Sequence, residues 1–416
     1  MNLIVNLLIV STLILSSPLL AEPSVIKGQF PPEKIQLKVR PLLKDVRAAQ
    51  LAKDEKLITE ITNKIIQHLG PWAANPSQVP SYHAPISAEA PSEQEVLAVW
   101  EKINPRIKKS ALWIAVPDGN PDAMTGGLRQ AARPIISNVA MHAFKNKKQF
   151  DNLEFVIAGA DYLLKLQRSN GLFPSPDLRG DDQTYTSFNK RTLRKNPNAL
   201  VEGWFVDDFR GELQLDHAVS GIAMLKAYQL TNDQRYLKSA VAAADWAISK
   251  DLDTNWSYNA YSAWLLAETY QHTNKPIYLF HGIEKLRLGV LPGLLDSGRW
   301  FDPVNARLLY HSANVRGMIA VYKNLPEENP LRLTLQQKIV SALNNASQQI
   351  INHGASSTTT STEMLVEALR ELGDNDTWRK ALNININAAI DASKGKGESA
   401  IGVFLPSYIE FAFAKK

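Results

Sequence analysis

From Pro41 to Leu69 the apolar positions Leu42, Leu43, Val46, Ala49, Leu57, Ile58, Ile61, Ile65 and Ile66 keep the spacing of one buried helical face, and Gly70-Pro71 ends it. The stretch that follows holds Pro71, Pro76, Pro80, Pro85 and Pro91 and cannot be a regular element. Helical patterning resumes over Glu93 to Val116. Paired runs over 129–168, 212–250, 258–290, 307–353 and 362–393 then predict five helical hairpins, and a last apolar segment runs from Ile401 to Ala414. Residues 22–40, rich in Pro, Lys and Gln, are expected to lie extended over the surface.

A phrase recurs at the hairpin turns: an Asn or Asp, then an aromatic four residues on. It reads Asn146 with Phe150, Asn232 with Tyr236, Asn274 with Tyr278, and Asp374 with Trp378. Self-similarity at a period of some tens of residues marks stacked supersecondary units. The repeat lengths vary here, unlike those of tetratricopeptide-type solenoids, and the flanking helices favour closure into an α/α toroid over an open superhelix. Turns inside hairpins are short, whereas the junctions between them, 170–211, 251–261, 295–311 and 352–362, are long and rich in aromatic and polar residues. Alternating outer and inner helices would gather these junctions beside the inner-helix N-termini, where a polar, aromatic cleft is expected.

Composition narrows the chemistry. Residues 1–21 carry no charged side chain and run apolar before Ala21-Glu22, which reads as a secretory signal, with an uncleaved membrane anchor as the alternative. The expected organisation is a signal at 1–21, an N-terminal extension with one helix and a Pro-rich linker at 22–92, and the toroid at 93–416; the location expected is secreted or periplasmic. Cysteine is absent, which excludes disulfides, thiolate metal sites and a cysteine nucleophile. The net charge of +5 is spread along the chain, so an anionic substrate is permitted and nucleic acid is not argued for. No metal or cofactor motif is found: the acidic loop at Asp177, Asp181 and Asp182 lacks the EF-hand pattern, and there is no phosphate loop, dinucleotide fingerprint or nucleophile elbow.

Three constellations could carry chemistry. In the first, Trp204 and the carboxylates Asp207, Asp208, Glu212 and Asp216, with His217, punctuate an aromatic loop that runs into a helix. Glycoside hydrolysis needs a carboxylic acid and a second carboxylate flanking the scissile bond; helix capping is the structural alternative for each acid. The second is Arg307, Tyr310, His311, Asn314 and Arg316, where Arg307, His311 and Asn314 share a helical side. Tyrosine and histidine can move protons and arginine can neutralise a uronate carboxylate; an interhelical hydrogen-bond network is the alternative. The third, Asn255, Trp256, Tyr258 and Asn259, could stack on sugar rings and bond their hydroxyls, or could be core.

The hairpins, the secretion signal, the phrase Tyr162-Leu163-Leu164-Lys165-Leu166-Gln167 followed by Asn170-Gly171-Leu172-Phe173-Pro174, and the acidic inner-helix entry resemble the six-hairpin glycosidase superfamily over residues 120–410. The resemblance implies an (α/α)6 ring with a carbohydrate cleft, and acid and base among Asp207, Asp208, Glu212 and Asp216. Asn255-Trp256-Ser257-Tyr258 with the later Arg307 and Tyr310-His311 is also similar to alginate-lyase-like toroids, except that Trp256 stands where their histidine is expected. That similarity implies β-elimination, with Tyr310 or His311 taking the C5 proton. The expectation is an all-α carbohydrate-active enzyme, hydrolysis placed ahead of elimination, against a third possibility of a non-catalytic glycan- or protein-binding scaffold.

Overall fold

The computed structural model describes residues 29–76, 86–120, 123–124, 127–144, 152–175, 190, 194, 209–354, 360–394 and 404–414. Among them are fifteen α-helices and no β-strand.

Six inner helices form a closed ring: α5 (Arg129–Ala143), α7 (Phe209–Thr231), α9 (Trp256–Thr273), α11 (Leu308–Tyr322), α13 (Thr360–Glu371) and α15 (Leu405–Phe413). Each packs on the next, and α15 returns to α5. The outer layer is α6 (Leu153–Leu166), α8 (Gln234–Ile248), α10 (Pro276–Gly289), α12 (Pro330–His353), α14 (Asp376–Ala392) and, closing the circle against α15, α3 (Glu93–Ser110). The short α4 (Leu112–Ala115) leads from α3 to the first inner helix. The burial pattern explains the two layers. In α8 only one stripe is buried, including Tyr236, Ala240, Ala243, Ala244 and Ala247, as expected of a helix with one wet face. In α9 every residue from Trp256 to Thr269 is buried, because neighbours surround it.

The recurring turn phrase has a physical basis. Asn232 and Asn274 adopt left-handed backbone, with φ of 58° and 52°, which ends one helix and turns the chain into the next. The aromatic four residues on then ties its outer helix to the preceding one. The Tyr236 hydroxyl donates to Asp161 of α6 at 3.0 Å, and the Tyr278 hydroxyl to Asp245 of α8 at 2.8 Å. Trp378 Nε1 donates to Asn344 of α12 at 2.8 Å. Asn146 and Phe150 lie outside the described residues.

The N-terminal extension differs from expectation. One helix over 41–69 is instead two, α1 (Glu33–Leu51) and α2 (Glu55–Leu69), and residues 33–40 are helical rather than extended. The break comes at Lys53, which has φ of 54°, and Asp54 caps the new helix by accepting from the Leu57 amide. This hairpin docks on the outside of the ring. Lys53 pairs with Glu284 at 2.6 Å and Arg287 with Glu55 at 2.5 Å, while buried Gln50 donates to the carbonyls of Asp253 and Leu288. No described helix is long and apolar enough to cross a membrane.

Candidate functional site

The N-termini of the inner helices converge at one end of the ring, as the junction lengths foretold. Arg129 opens α5, Asp216 lies two turns into α7, and Tyr258 and Tyr310 occupy the first turns of α9 and α11. Asp216 is wholly buried. Its Oδ1 lies 3.1 Å from Arg129 Nε and accepts from the Arg129 amide at 3.4 Å; its Oδ2 accepts from Ser175 Oγ at 2.5 Å. A carboxylate at a helix N-terminus also opposes the helix dipole favourably. The approach requires glycine at 127, since a Cβ there would lie 1.4 Å from Asp216 Oδ2.

Burial is the largest single influence and pulls the Arg129 pKa down, but Asp216 together with Tyr310, Tyr258 and Tyr261 outweighs it, so the net shift is upward. The guanidinium therefore stays charged, with three phenols within electrostatic reach. Arg307, at the N-cap of α11, lies 4.6 Å from the centre of the Tyr310 ring and donates through Nε to the Val304 carbonyl at 3.2 Å.

A buried amide network holds these parts in register. Asn305 Nδ2 donates to Asn255 Oδ1 at 2.8 Å and to Asp302 Oδ1 at 3.0 Å. Asn305 Oδ1 accepts from the Ser257 amide at 3.1 Å and from Asn314 Nδ2 at 3.3 Å. Asn255 N donates to Asp253, whose carbonyl accepts from Gln50; the Ala74 amide donates to the Phe301 carbonyl at 2.8 Å. The N-terminal extension thus braces the two junctions that carry Tyr258 and Arg307. Burial raises the Asp302 pKa to about 6, against the opposing effect of its bonds from Asn305 and Val304.

Several residues expected in the cleft face elsewhere. His217 Nε2 bonds the Ala243 carbonyl at 2.8 Å while its Nδ1 accepts from the Phe173 amide, and burial holds its pKa down at about 4, so it is neutral. His311 Nε2 bonds the Ala342 carbonyl at 2.9 Å with its ring against Trp300; burial, then Arg299, keeps its pKa low. Asn259 Nδ2 donates to the carbonyls of Gly289 and Asp253. The pairs Asp216-His217, Tyr258-Asn259 and Tyr310-His311 therefore follow one rule. The first member is at the ring mouth; the second, rotated by about 100° on its helix, is tied to an outer-helix carbonyl. Asn255 and Asn314 are taken up by the amide network, and Trp256 is core, packed edge-on to Phe301. Arg316 lies deeper, bonded to Glu363 and Glu367. Trp204, Asp207 and Asp208 are outside the described residues, and of Glu212 only the helical backbone, one turn before Asp216, is described.

Sequence reasoning missed Arg129, Gly127 and Ser175. The available signal was Gly126-Gly127 followed by Arg129 and Arg133, two arginines one turn apart at the start of an apolar inner helix. Among the described residues no group of three or more His, Asp or Glu could hold a metal ion.

No protein-family model matches the chain, and no curated protein matches it. Solved structures do. A glycosyl hydrolase family 88 protein from Bacteroides vulgatus aligns with a TM-score of 0.50 at 16% identity, over 77% of this chain and 99% of that one. A polysaccharide lyase aligns with a TM-score of 0.50 at 15% identity, over 77% and 97%. An unsaturated glucuronyl hydrolase from Streptococcus agalactiae gives 0.46 at 13% identity, over 80% and 98%. At such identities the first two likenesses speak to architecture, and together with the closed ring of six inner and six outer helices they make this chain an (α/α)6 toroid.

Proposed function

We propose that the protein cleaves glycosidic bonds in a uronate-containing saccharide, by β-elimination at the ring mouth. The observation that carries this reading is the Arg129 guanidinium, fixed by buried Asp216 within electrostatic reach of Tyr258 and Tyr310. Elimination needs a cation against the uronate carboxylate, which acidifies the C5 proton, and a base to take that proton. Arg129, with Arg307, supplies the cation, and Tyr310 or Tyr258 in its phenolate form takes the proton. The C4–O bond breaks, the leaving oxygen is protonated, and a C4=C5 double bond remains. Asp216 orients Arg129, because both its oxygens are engaged and none of it is exposed. A charged rather than apolar ring centre weighs against a purely structural scaffold. The two toroids with TM-scores of 0.50 are named a glycosyl hydrolase and a polysaccharide lyase, which agrees with glycosidic bonds as the target. The uncharged apolar segment at 1–21 supports a secreted or periplasmic location.

Hydrolysis is the second reading, favoured by Glu212 heading α7 one turn before Asp216, with Asp207 and Asp208 just ahead. The deciding assay incubates the protein with neutral and uronate polysaccharides and reads reducing ends together with the ultraviolet absorbance of unsaturated uronate. Both signals rising supports elimination; reducing ends alone supports hydrolysis. Neither signal across a broad panel would overturn the enzyme reading.

A further inference from the structure

One helical turn below the mouth, the axial cavity walled by Arg133, Tyr261, Arg316, Glu363 and Phe404 takes about 20 Å³, space for about one water. A larger space lies on the outer wall, where the turn of the N-terminal hairpin meets α10. There Lys53 and Glu55 stand across a cleft from Phe280, Ile283, Glu284, Arg287 and Leu288. The cleft offers about 170 Å³, or about 480 Å³ counting the space that opens to solvent. The larger figure is within the range of about 300–1,000 Å³ for small-molecule sites. The α10 residues fall at i, i+3, i+4, i+7 and i+8, so the cleft follows one face of that helix for about 12 Å. Its Leu288 end reaches the mouth side of the toroid. Gln50 Nε2 donates to the Leu288 carbonyl at 3.2 Å and to the Asp253 carbonyl at 3.4 Å, in the junction that opens α9.

The lining combines two chemistries. Phe280 is 60% exposed and is the only exposed phenylalanine, tyrosine or tryptophan among the described residues; Ile277, one turn before it, extends the apolar strip. Beside that phenyl face the wall is built of ion pairs: Lys53 with Glu284 at 2.6 Å, Arg287 with Glu55 at 2.5 Å, and His281 on Glu284 at 3.2 Å. Each cation of the lining has its carboxylate, so the cleft presents an apolar face next to donors and acceptors already held across the joint. A sugar ring matches both. Its C–H face packs on the phenyl group, and its hydroxyls accept from Lys53 and Arg287 and donate to Glu55 and Glu284. We infer that the cleft is a second saccharide-binding site, on the outer wall of the toroid, which holds one stretch of a polymer while another stretch lies at the mouth. Two linked contacts hold a chain more tightly than either alone. The inference rests on the saccharide-cleaving reading for its choice of ligand.

The test is affinity electrophoresis in gels cast with xylan, glucomannan, pectate, alginate or hyaluronan, on the wild-type protein, Phe280→Ala, Phe280→Trp, Arg129→Gln, and Arg129→Gln combined with each Phe280 change. At least one polysaccharide should retard Arg129→Gln, which lacks the cation of the mouth. Adding Phe280→Ala should weaken that retardation at least fivefold, and adding Phe280→Trp should keep it, because the indole offers a larger stacking face. Retardation that is absent from Arg129→Gln, unmoved by Phe280→Ala, or lost with Phe280→Trp would overturn the inference. Should Arg129→Gln not fold, Phe280→Ala and Phe280→Trp against the wild type carry the same comparison; Phe280 is largely exposed, so both should melt with the wild type. Light scattering gives the competing occupant its chance: a wild-type dimer that Phe280→Ala splits into monomers would assign this face to a second copy of the chain and overturn the inference. Retardation that depends on Phe280 in a protein that cleaves nothing would sink the cleavage reading and keep the site. Cleavage of a polymer by a protein whose retardation ignores Phe280→Ala would do the reverse.

Discussion

Replacing Asp216 by Asn leaves the shape of the side chain and removes its charge. Arg129 then keeps its place at the head of α5 with no carboxylate at 3.1 Å. Removing one partner of a buried pair costs about 3–5 kcal/mol, because the other charge is stranded. The Arg129 side chain is 23% exposed, which puts the loss at the low end, about 3 kcal/mol. Unfolding entropy near 2.1 cal/mol/K per residue gives a ring of roughly 300 residues about 0.6 kcal/mol/K, so Tm should fall by about 5 °C. Turnover should fall on the order of 100-fold, the usual effect of a positioning group lost. Differential scanning calorimetry and the unsaturated-product assay read the two effects. Arg129→Met in the Asp216→Asn background removes the stranded charge, so it should restore part of the lost Tm and none of the activity. An Asp216→Asn variant with an unchanged Tm and full turnover would refute the assignment of Asp216 as the anchor of Arg129.

Three further outcomes are expected. Tyr310→Phe should lower kcat by 100-fold or more, in the range for a lost proton-transfer group, with little change in the thermal transition. Tyr278→Phe breaks the 2.8 Å bond from α10 to Asp245 of α8 and should cost about 1 kcal/mol in urea unfolding, without touching activity. For pH, Asp302 has a folded pKa near 6, above its ordinary value of 3.8, so its stabilising effect is complete below pH 3.8 and is lost as pH rises through 6. His217, held near 4 rather than 6.5, acts in the opposite sense and loses stability as pH falls through that window. Asp302→Asn removes only the first effect, so between pH 6.5 and 4 the variant should lose about 2 kcal/mol more on acidification than the wild type. Equal slopes in denaturation series for the two proteins would count against a buried, protonatable Asp302.

The hairpins were legible because their turns carry their own chemistry: at Asn232 and Asn274 an Asn takes left-handed backbone, and the aromatic four residues on reaches the previous outer helix. The site was less legible. An outer helix shows its buried stripe as a period in the sequence, but α9 is buried on every side, so a polar residue there carries no sign of its direction. Tyr258 and Asn259 are neighbours in sequence, yet one is at the mouth and the other is tied to Gly289. The stripe of Arg307, His311 and Asn314 does not act as one face: Arg307 lies over the Tyr310 ring, His311 meets α12, and Asn314 bonds Asn305. The break at Lys53 was invisible for a different reason: a lysine in left-handed backbone has no sequence signature.

The ring is closed by α15 against both α5 and α3, so helices near opposite ends of the described chain must meet before the circle exists. Most hairpins bring together residues close in sequence and can form early, whereas this seam joins segments about 300 residues apart and must pay a large loop-closure cost. Phe404, which heads α15, is also part of the wall of the axial cavity. During synthesis from the N-terminus, then, the hairpins can accumulate while the cavity still lacks a side, and it is completed only when the last helix docks.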